Sequence, residues 1–351
     1  KVFTWGEFDY KSLLENFPKF NDKFINTGNP RLDFCKTKLD KFYEKLNSND
    51  FTNDKKPILI ISDIGNIMSS KTLSEQIYIN RESQKFLHQI KEERENDQLL
   101  IYANKILYLS ELSKLVKNLT KEFPNERFIF RPHPTENKDD WIKILGKYKN
   151  LEIIKEEDAI TWIRKCKLMI HNSCFTAIDG AILKKPIISF CPQNCQKSKK
   201  YFTGKIGIQT STIEEVKNQI KYLNSNDDKF DENISLNLKL IESRLNLNGI
   251  SSMQQAEVWC DLIKKNNLND FELNNLKFKF WISIIKINSL IKLFIKKLFG
   301  YKYKPLTKFD ELNSHNINRN LNYFEEIFDD EKKRNFKVNK INKHLCLIES
   351  K

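Results

Sequence analysis

Short apolar runs alternate with amphipathic segments through the middle of the chain. Each run is five or six residues long, which is typical of strands buried on both faces of a sheet: PILIIS (57–62), RFIFR (127–131), LEIIK (151–155), KLMIH (167–171) and PIISF (186–190). Between them, apolar positions recur with the helical period of about 3.6 residues, most extensively from about Glu82 to Glu122. This alternation predicts an α/β fold with a doubly wound parallel sheet that helices cover on both faces.

The pattern changes near residue 57 and again near residue 265. Before the first change lie short strand and turn signals such as TGNP (27–30), then a Lys-rich helix and a polar linker. We predict that 1–56 is the end of an N-terminal α/β domain with its linker and that 57–265 is a Rossmann-like domain. Residues 266–351 are predicted to form a helical, basic C-terminal extension. Because the chain opens with KVFTWGEFDY, as if inside a domain, we expect further sequence before it.

The formal net charge of +14 raises the question of a nucleic-acid partner. The basic residues are 51 Lys and only 9 Arg, and they are spread along the chain among many Asn and Ile. That distribution indicates a compositional bias towards Lys rather than an Arg-rich groove, and no nucleic-acid-binding motif accompanies it. We therefore predict no nucleic-acid partner, and we assign the excess charge to attraction of anionic substrates or of an anionic membrane surface.

Seven cysteines, an odd number, lie mostly in apolar segments, which is typical of reduced thiols in a cytoplasmic protein. Cys191 and Cys195 have a C-x3-C spacing, but no second pair of Cys or His follows at zinc-finger spacing. The sequence therefore predicts no metal site. No secretory leader opens the sequence, and no apolar stretch reaches the roughly 18 residues that a spanning helix needs.

Two histidines follow predicted strands at the point where each strand ends. His133 lies between two prolines in RPHPTE (131–136), and His171 closes the run KLMIH. In doubly wound sheets the ligand binds outside the carboxyl ends of the strands, so we expect both rings at one crevice. An imidazole with a pKa near 6.5 suits a proton donor or an electrostatic clamp, although His133 could also simply fill a turn. Glu136 opens the next helix and is predicted to cap its N-terminus.

The segment HNSCFTAIDG (171–180) places small polar residues where a strand passes into a helix. Backbone N–H groups and hydroxyls at such a point favour an anion, so Asn172, Ser173 and Thr176 are predicted to bind phosphate. Plain helix capping by the two hydroxyls is the alternative. Asp179 follows inside the same helix, where its carboxylate could accept hydrogen bonds from a ribose.

The order of these motifs resembles the bacterial surface carbohydrate biosynthesis proteins. The resemblance rests on TGNPRLD (27–33), RPHPTE followed by Trp141, and DAITWIRKCKLMIHNSCFTAIDGAILKKPIISF (158–190), and it covers about residues 3–195. Those proteins are similar in their nucleotide-binding half to capsule Kdo transferases and to bacterial sialyltransferases with a His-Pro motif. They are more distantly similar to CDP-glycerol glycerophosphotransferases. The resemblance implies a two-domain GT-B glycosyltransferase in which the C-terminal half holds the activated sugar.

The resemblance also implies roles for particular residues. His133 and Pro134 match the His-Pro motif beside the nucleotide phosphate, Ser173 and Thr176 match the phosphate-binding helix start, and Asp179 matches the acidic residue of that helix. With these we group three neighbours as nucleotide and phosphate ligands: Glu136, His171 and Asn172. The catalytic base of such enzymes comes from the N-terminal half, of which this chain holds only the last elements. Its candidates here are Glu7, Asp9 and Asp33.

From this we predict a metal-independent, inverting glycosyltransferase that needs no cofactor beyond its nucleotide-sugar donor. The predicted donor is a CMP-linked acidic sugar, and the predicted acceptor is a glycan or lipid-linked glycan of a bacterial surface polysaccharide such as capsule or lipopolysaccharide. A cytoplasmic location, peripheral at the inner membrane, follows from that role. Three alternatives stay open: a CDP-polyol phosphotransferase, an enzyme like the UDP-sugar 2-epimerases, and a non-catalytic subunit that binds sugar nucleotides.

The segment KFKFWISIIKINSLIKLFIKKLFG (277–300) is amphipathic and cationic, which favours either a helix packed on the protein or one lying on an anionic membrane. For the membrane alternative, we expect co-sedimentation with vesicles that contain phosphatidylglycerol and not with purely zwitterionic ones. Because each basic residue near an anionic surface contributes about 1 kcal/mol, replacing Lys292, Lys296 and Lys297 by Glu should abolish the binding. Binding that ignores lipid charge or these changes would leave the packed helix as the correct alternative.

Overall fold

The computed structural model describes residues 1–46, 55–68, 91–193, 195, 201–225, 228–265, 283–284, 313–328, 336–342 and 345–350. Its centre is a six-stranded sheet in which every neighbouring pair of strands is parallel. The strands are β3 (Ile58–Ile61), β4 (Phe128–Arg131), β5 (Leu151–Ile153), β6 (Leu168–His171), β7 (Ile187–Phe190) and β8 (Ile208–Thr210). All five apolar runs therefore form strands of one parallel sheet, as predicted, and β8 adds a sixth.

Helices follow the strands along the chain: α3 (Lys91–Glu122), α4 (Lys138–Leu145), α5 (Ala159–Lys165), α6 (Thr176–Ile182), α7 (Ile213–Ser225), α8 (Asp228–Glu242) and α9 (Ser251–Lys265). Successive side chains of a strand point to opposite faces, so β3 contributes to two cores. Ile58 and Ile60 pack with Leu112 of α3 on one face. Leu59 packs with Ile163 of α5 on the other. The sheet is thus covered on both faces, and the predicted doubly wound α/β class is confirmed.

The strand order is β5-β4-β3-β6-β7-β8. From β3 the chain builds outward through β4 and β5, then returns to place β6 on the other side of β3 and builds outward again. The carboxyl ends of β3 and β6 therefore flank the point where the direction of winding changes, which is where ligands bind in sheets of this kind. His133 lies just past β4 and His171 ends β6, so both histidines lie at the same edge of the sheet, as predicted.

The first 46 residues form a small unit of their own that packs on the second core. It begins with β1 (Val2–Thr4), α1 (Glu7–Asn16) and β2 (Phe24–Asn26), in which β1 and β2 pair in parallel. A 3-10 helix at Pro30–Cys35 and α2 (Asp40–Leu46) follow. Leu32 is buried in the second core, and Asn246 N donates to the carbonyl of Trp5 at 2.7 Å. The unit is thus attached to the sheet domain by both packing and hydrogen bonds.

Part of the predicted C-terminal extension is described. It contains α10 (Ser314–Phe328), whose Phe324 stacks on Phe42 of α2 at 4.6 Å between ring centroids. It also contains an antiparallel pair, β9 (Phe336–Asn342) and β10 (Leu345–Ser350), which the prediction of a helical extension did not include. The cationic segment 277–300 lies outside the described residues except at 283–284. Among the helices that the structure describes, none is long and apolar enough to cross a membrane.

Gly6 tests the attachment of the first 46 residues. Its backbone is extended (φ −174°), which any residue adopts, but a Cβ there would lie 1.8 Å from the carbonyl oxygen of Arg244. Gly180 is a matched control because its added Cβ would meet mainly the flexible side-chain ends of Met169 (2.9 Å) and Ile187 (3.2 Å). We expect Gly6→Ala to cost about 2–3 kcal/mol of unfolding free energy and Gly180→Ala less than about 1 kcal/mol. Urea unfolding of both variants measures this, and equal small losses would contradict the packing.

Candidate functional site

Three loops meet at the carboxyl edge of the sheet because they leave the neighbouring strands β4, β3 and β6. They contain Pro132–Thr135 after β4, Ser62–Ile64 after β3, and Asn172–Phe175 after β6. Predicted site residues lie in the first and third loops. The candidate site is therefore the edge formed by three strand ends, and its geometry depends on what holds the loops in place.

Glu136 ties the first two loops together. Its carboxylate is fully buried and accepts from Ser62 Oγ (3.0 Å), Ile64 N (2.9 Å) and Gly65 N (2.7 Å) on one oxygen, and from Trp141 Nε1 (2.7 Å) on the other. Burial raises the pKa of Glu136, and the hydrogen bonds oppose that rise. A carboxylate used in this way has little capacity left for a ligand.

The prediction that Glu136 caps the following helix is therefore corrected. Asn137 is the residue before α4, and its side chain accepts from Asp139 N at 2.9 Å. The carboxylate of Glu136 instead faces inward to the end of β3. Its partners Ser62 and Gly65 lie more than 70 residues earlier in the chain, beyond the range of any local capping pattern.

His133 is partly exposed and is held through one ring nitrogen. Its Nδ1 accepts from Thr135 N at 3.2 Å and lies 2.8 Å from Thr135 Oγ1. Because the backbone N–H must donate, the neutral ring carries its proton on Nε2. Pro134, the next residue, is exposed. The turn between the prolines thus fixes the imidazole at the edge of the sheet, in the tautomer that can donate from Nε2.

His171 has a different environment from the one predicted. Its side chain is fully buried, its Nε2 donates to the carbonyl of Ile206 at 2.9 Å, and its Nδ1 has no hydrogen-bond partner among the described residues. Burial lowers the pKa of His171 to about 4. The ring therefore stays neutral and lies in the core. We correct its assignment from phosphate ligand to structural residue.

The loop after β6 carries the two predicted hydroxyls. Ser173 has a left-handed backbone (φ 55°), and its carbonyl accepts from Thr203 Oγ1 at 2.5 Å. Helix α6 begins at Thr176, and its seven residues have no side-chain cap. Thr176 Oγ1 lies 2.7 Å from Cys174 Sγ. Ser173 and Thr176 are both partly exposed, Asn172 is buried, and neither hydroxyl caps the helix.

Asp179 is fully buried, and its carboxylate is paired with an arginine. Arg31 Nη1 and Nη2 donate to its two carboxylate oxygens at 3.0 and 2.5 Å, and the Cys35 thiol lies 3.7 Å from Oδ1. Burial raises the pKa of Asp179 to about 6, and Arg31 opposes the rise. The prediction that this carboxylate accepts from a ribose is corrected, because both of its oxygens already face a guanidinium.

The three candidate bases also differ in their surroundings. Asp33 is buried and accepts from Ser251 N (2.9 Å) and Ser252 N (2.8 Å), so it caps α9 and is unsuited to act as a base. Glu7 is exposed on α1, where Lys11 lies 3.6 Å from its carboxylate. Asp9 is partly exposed in the same first turn. Glu7 and Asp9 remain candidates by position alone.

Sequence analysis missed a polar group at the end of β3, beside the change in winding direction. Burial raises the pKa of Asp63 to about 6, the charge of Lys105 opposes the rise, and the charge of Glu136 adds to it. Tyr108 is 5% exposed, and its hydroxyl has no partner among the described residues. The charge of Asp63 contributes to raising the pKa of Tyr108. Asp63 directly follows the apolar run 57–62, so the strand-end argument that found His133 could have found it.

Part of the chain matches the model of a known family. Residues 88–244, less than half of the chain, match the family described as Protein of unknown function (DUF354). No curated protein matches the sequence.

Three solved structures have a similar chain path. The Wall Teichoic Acid Polymerase TagF is 15% identical with a TM-score of 0.47, over 77% of this chain and 59% of that one. The UDP-GlcNAc 2-epimerase from Neisseria meningitidis is 16% identical with a TM-score of 0.41, over 74% and 60%. A glycosyltransferase from Rickettsia africae ESF-5 is 12% identical with a TM-score of 0.38, over 75% and 64%. The chain thus spans about three fifths of the length of these proteins.

The buried state of His171 predicts a pH effect. Because its folded pKa of about 4 lies below the usual 6.5, the unfolded chain binds more protons between these values, and stability falls as the pH falls from about 6.5 to 4. The loss attributable to His171 is at most about 3 kcal/mol. His171→Gln keeps a side-chain N–H donor without a titrating ring, so its unfolding free energy should fall less over this range. Parallel pH profiles for the two proteins would contradict the buried, neutral assignment.

Proposed function

We propose that this chain is a glycosyltransferase of the GT-B type that binds a nucleotide-sugar donor at the carboxyl edge of β4, β3 and β6. The observation that carries the proposal is the placement of His133, oriented by Thr135, after β4 and of the partly exposed residues Ser173 and Thr176 after β6. Both loops lie at the carboxyl edge of the sheet, on either side of the end of β3. Ligands of doubly wound sheets bind at that point. The positive net charge of the chain favours an anionic ligand there.

In the proposed reaction, an acceptor hydroxyl attacks the anomeric carbon of the donor and the bond from that carbon to the nucleotide phosphate breaks. A base takes the proton of the hydroxyl, and Glu7 and Asp9 are the candidates. His133 Nε2–H donates to the phosphate oxygen on which negative charge develops, and that interaction strengthens in the transition state. The hydroxyls of Ser173 and Thr176 bind the phosphate before and during the reaction. Attack from the face opposite the leaving nucleotide gives inversion.

The finer parts of the proposal concern substrate and place. A CMP-linked acidic sugar as donor, a glycan or lipid-linked glycan as acceptor, and no metal or further cofactor follow from the resemblance to surface carbohydrate enzymes. The same resemblance favours a role in bacterial surface polysaccharide synthesis in the cytoplasm, at the inner face of the membrane. A CDP-polyol phosphotransferase and an epimerase that acts on UDP-sugars remain the alternative activities at the same edge.

One observation favours a second candidate, a non-catalytic subunit that binds sugar nucleotides. The carboxylate of Asp33, one of the three candidate bases, already accepts hydrogen bonds as the cap of α9. If neither Glu7 nor Asp9 acts as the base, the chain would bind a donor without transferring its sugar. The two candidates share the binding site and differ in turnover, so binding and turnover must be measured separately.

Binding is measured first with CMP-, CDP-, UDP- and GDP-linked sugars in a thermal-shift series. A ligand that binds only the folded state raises apparent stability by about 2.7 kcal/mol at one hundred times its dissociation constant. We expect a CMP-linked donor to give the largest shift, and replacing Ser173 and Thr176 together by Ala to reduce it. The same double variant should raise KM more than it lowers kcat, because these hydroxyls act in ground and transition states alike. Absence of a shift with every nucleotide would contradict the proposal.

Turnover is measured with His133 variants. His133→Ala should lower kcat on the order of 10²-fold or more, since assistance to a leaving group is greatest in the transition state. His133→Asn keeps an amide that can reach Thr135, so it separates a turn-filling role from a chemical one. If the Asn variant keeps full activity while the Ala variant only lowers the melting temperature, His133 is structural and the proposed assistance to the leaving group is wrong.

A further inference from the structure

Arg31 links the first 46 residues to the candidate site. It belongs to the 3-10 helix Pro30–Cys35, and its backbone N–H donates to Asn29 Oδ1 at 3.0 Å, which fixes the start of that helix. Its side chain crosses to α6, where Nη1 and Nη2 bind the two oxygens of Asp179 at 3.0 and 2.5 Å. Two parallel hydrogen bonds hold the planar guanidinium in one orientation, which a single contact would not do.

The guanidinium also lies against the loop that carries the candidate phosphate ligands. Arg31 Cζ is 4.8 Å from the centroid of the Phe175 ring, and Trp5 packs on that ring edge to face at 5.8 Å between centroids. Phe175 lies between Ser173 and Thr176 in the sequence, so Arg31 contacts the same short loop that presents both hydroxyls. A cation over an aromatic face is attracted to it, which further restricts the position of the guanidinium.

The two members of the ion pair differ sharply in exposure. The side chain of Asp179 is fully buried, whereas that of Arg31 is 41% exposed. An arginine has five N–H donors, and the contacts to Asp179 engage two of its nitrogens through one end of the fork. The pair therefore hides its carboxylate in the core and leaves part of the Arg31 side chain exposed beside the loop after β6.

We propose that Arg31 binds the phosphate of the nucleotide donor at the loop 172–176, and that Asp179 is a positioning residue that holds the guanidinium for this contact. The inference rests on the proposed function and deepens it by naming a cationic phosphate ligand that comes from the first 46 residues rather than from the sheet domain. Arginine suits this role because Nε–H and the second N–H of each Nη remain as donors to phosphate oxygens while Asp179 holds the guanidinium. The arrangement also explains why the acidic residue Asp179 can lie close to an anion site, because Arg31 lies between the carboxylate and the ligand.

The test uses a double variant so that no buried charge is left alone. Arg31→Gln alone would strand the carboxylate of Asp179 in the core and could unfold the protein, so Arg31→Gln is combined with Asp179→Asn. The matched control is Arg164→Gln with Asp40→Asn. Arg164 also pairs with an aspartate and lies over an aromatic ring, that of Tyr43 at 4.6 Å from the centroid. It lies in the last turn of α5, at the amino edge of the sheet.

Calorimetric titration with inorganic pyrophosphate and with CDP gives the readout. We expect the Arg31/Asp179 double variant to bind both probes at least tenfold more weakly than the unaltered chain, with the Arg164/Asp40 variant unchanged. Asp179→Asn alone keeps the cation but loosens it, so it should weaken binding by a smaller factor. Arg31→Lys, which keeps charge without the fork, should recover only part of the loss.

The outcomes separate this inference from the proposed function. CDP binding that is the same in the Arg31/Asp179 variant and the unaltered chain would overturn the role of Arg31 while leaving a nucleotide site in place. If pyrophosphate binds in a way that depends on Arg31 but CDP, CMP and UDP do not bind, the anion site is supported. The proposal that its ligand is a nucleotide is then contradicted. Equal losses in the control variant, or no binding of any probe by the unaltered chain, would overturn the inference.

Discussion

The buried carboxylate of Glu136 is the interaction on which the carboxyl edge of the sheet depends. Three donors from the loop after β3 and one from α4 converge on it, and they fix two of the three loops that form the candidate site. Removing such a carboxylate would leave these donors buried without partners, which costs more than the hydrogen bonds themselves contribute. The position of His133, three residues before it, follows from this anchor.

A second buried carboxylate, Asp179, fixes the third loop through Arg31. The sequence motifs suggest Glu136 and Asp179 as ligand contacts, but both carboxylates are structural. Other groups at the carboxyl edge must therefore bind a ligand. Those groups are the His133 imidazole, the hydroxyls of Ser173 and Thr176 and the exposed side of Arg31, with Asp63 at the end of β3. The division is physically reasonable, because a site that binds an anion needs its acidic residues paired or remote.

The sequence predicts the strands and the parallel sheet of this protein well, but it predicts the partners of the buried polar groups poorly. The run PILII (57–61) is apolar throughout, which indicates burial on both faces, and that is enough to identify β3 as a strand of a parallel sheet. By contrast, the pairing of Arg31 with Asp179 joins residues 148 positions apart, and no local pattern encodes it. His171 shows the same limit: a strand-end histidine fits a ligand or a core residue equally well until its burial is known.

Amide hydrogen exchange with and without CDP tests the central claim most directly, because it locates a bound nucleotide without reference to activity. The account predicts slower exchange in the loops 132–135 and 172–176 when CDP is bound, with the rest of the sheet domain unchanged. Slower exchange confined to the groove of about 300 Å³ that Ile67, Met68, Asp140, Lys143 and Ile144 line between the β3 loop and α4 would contradict it. So would exchange that CDP leaves unaltered everywhere.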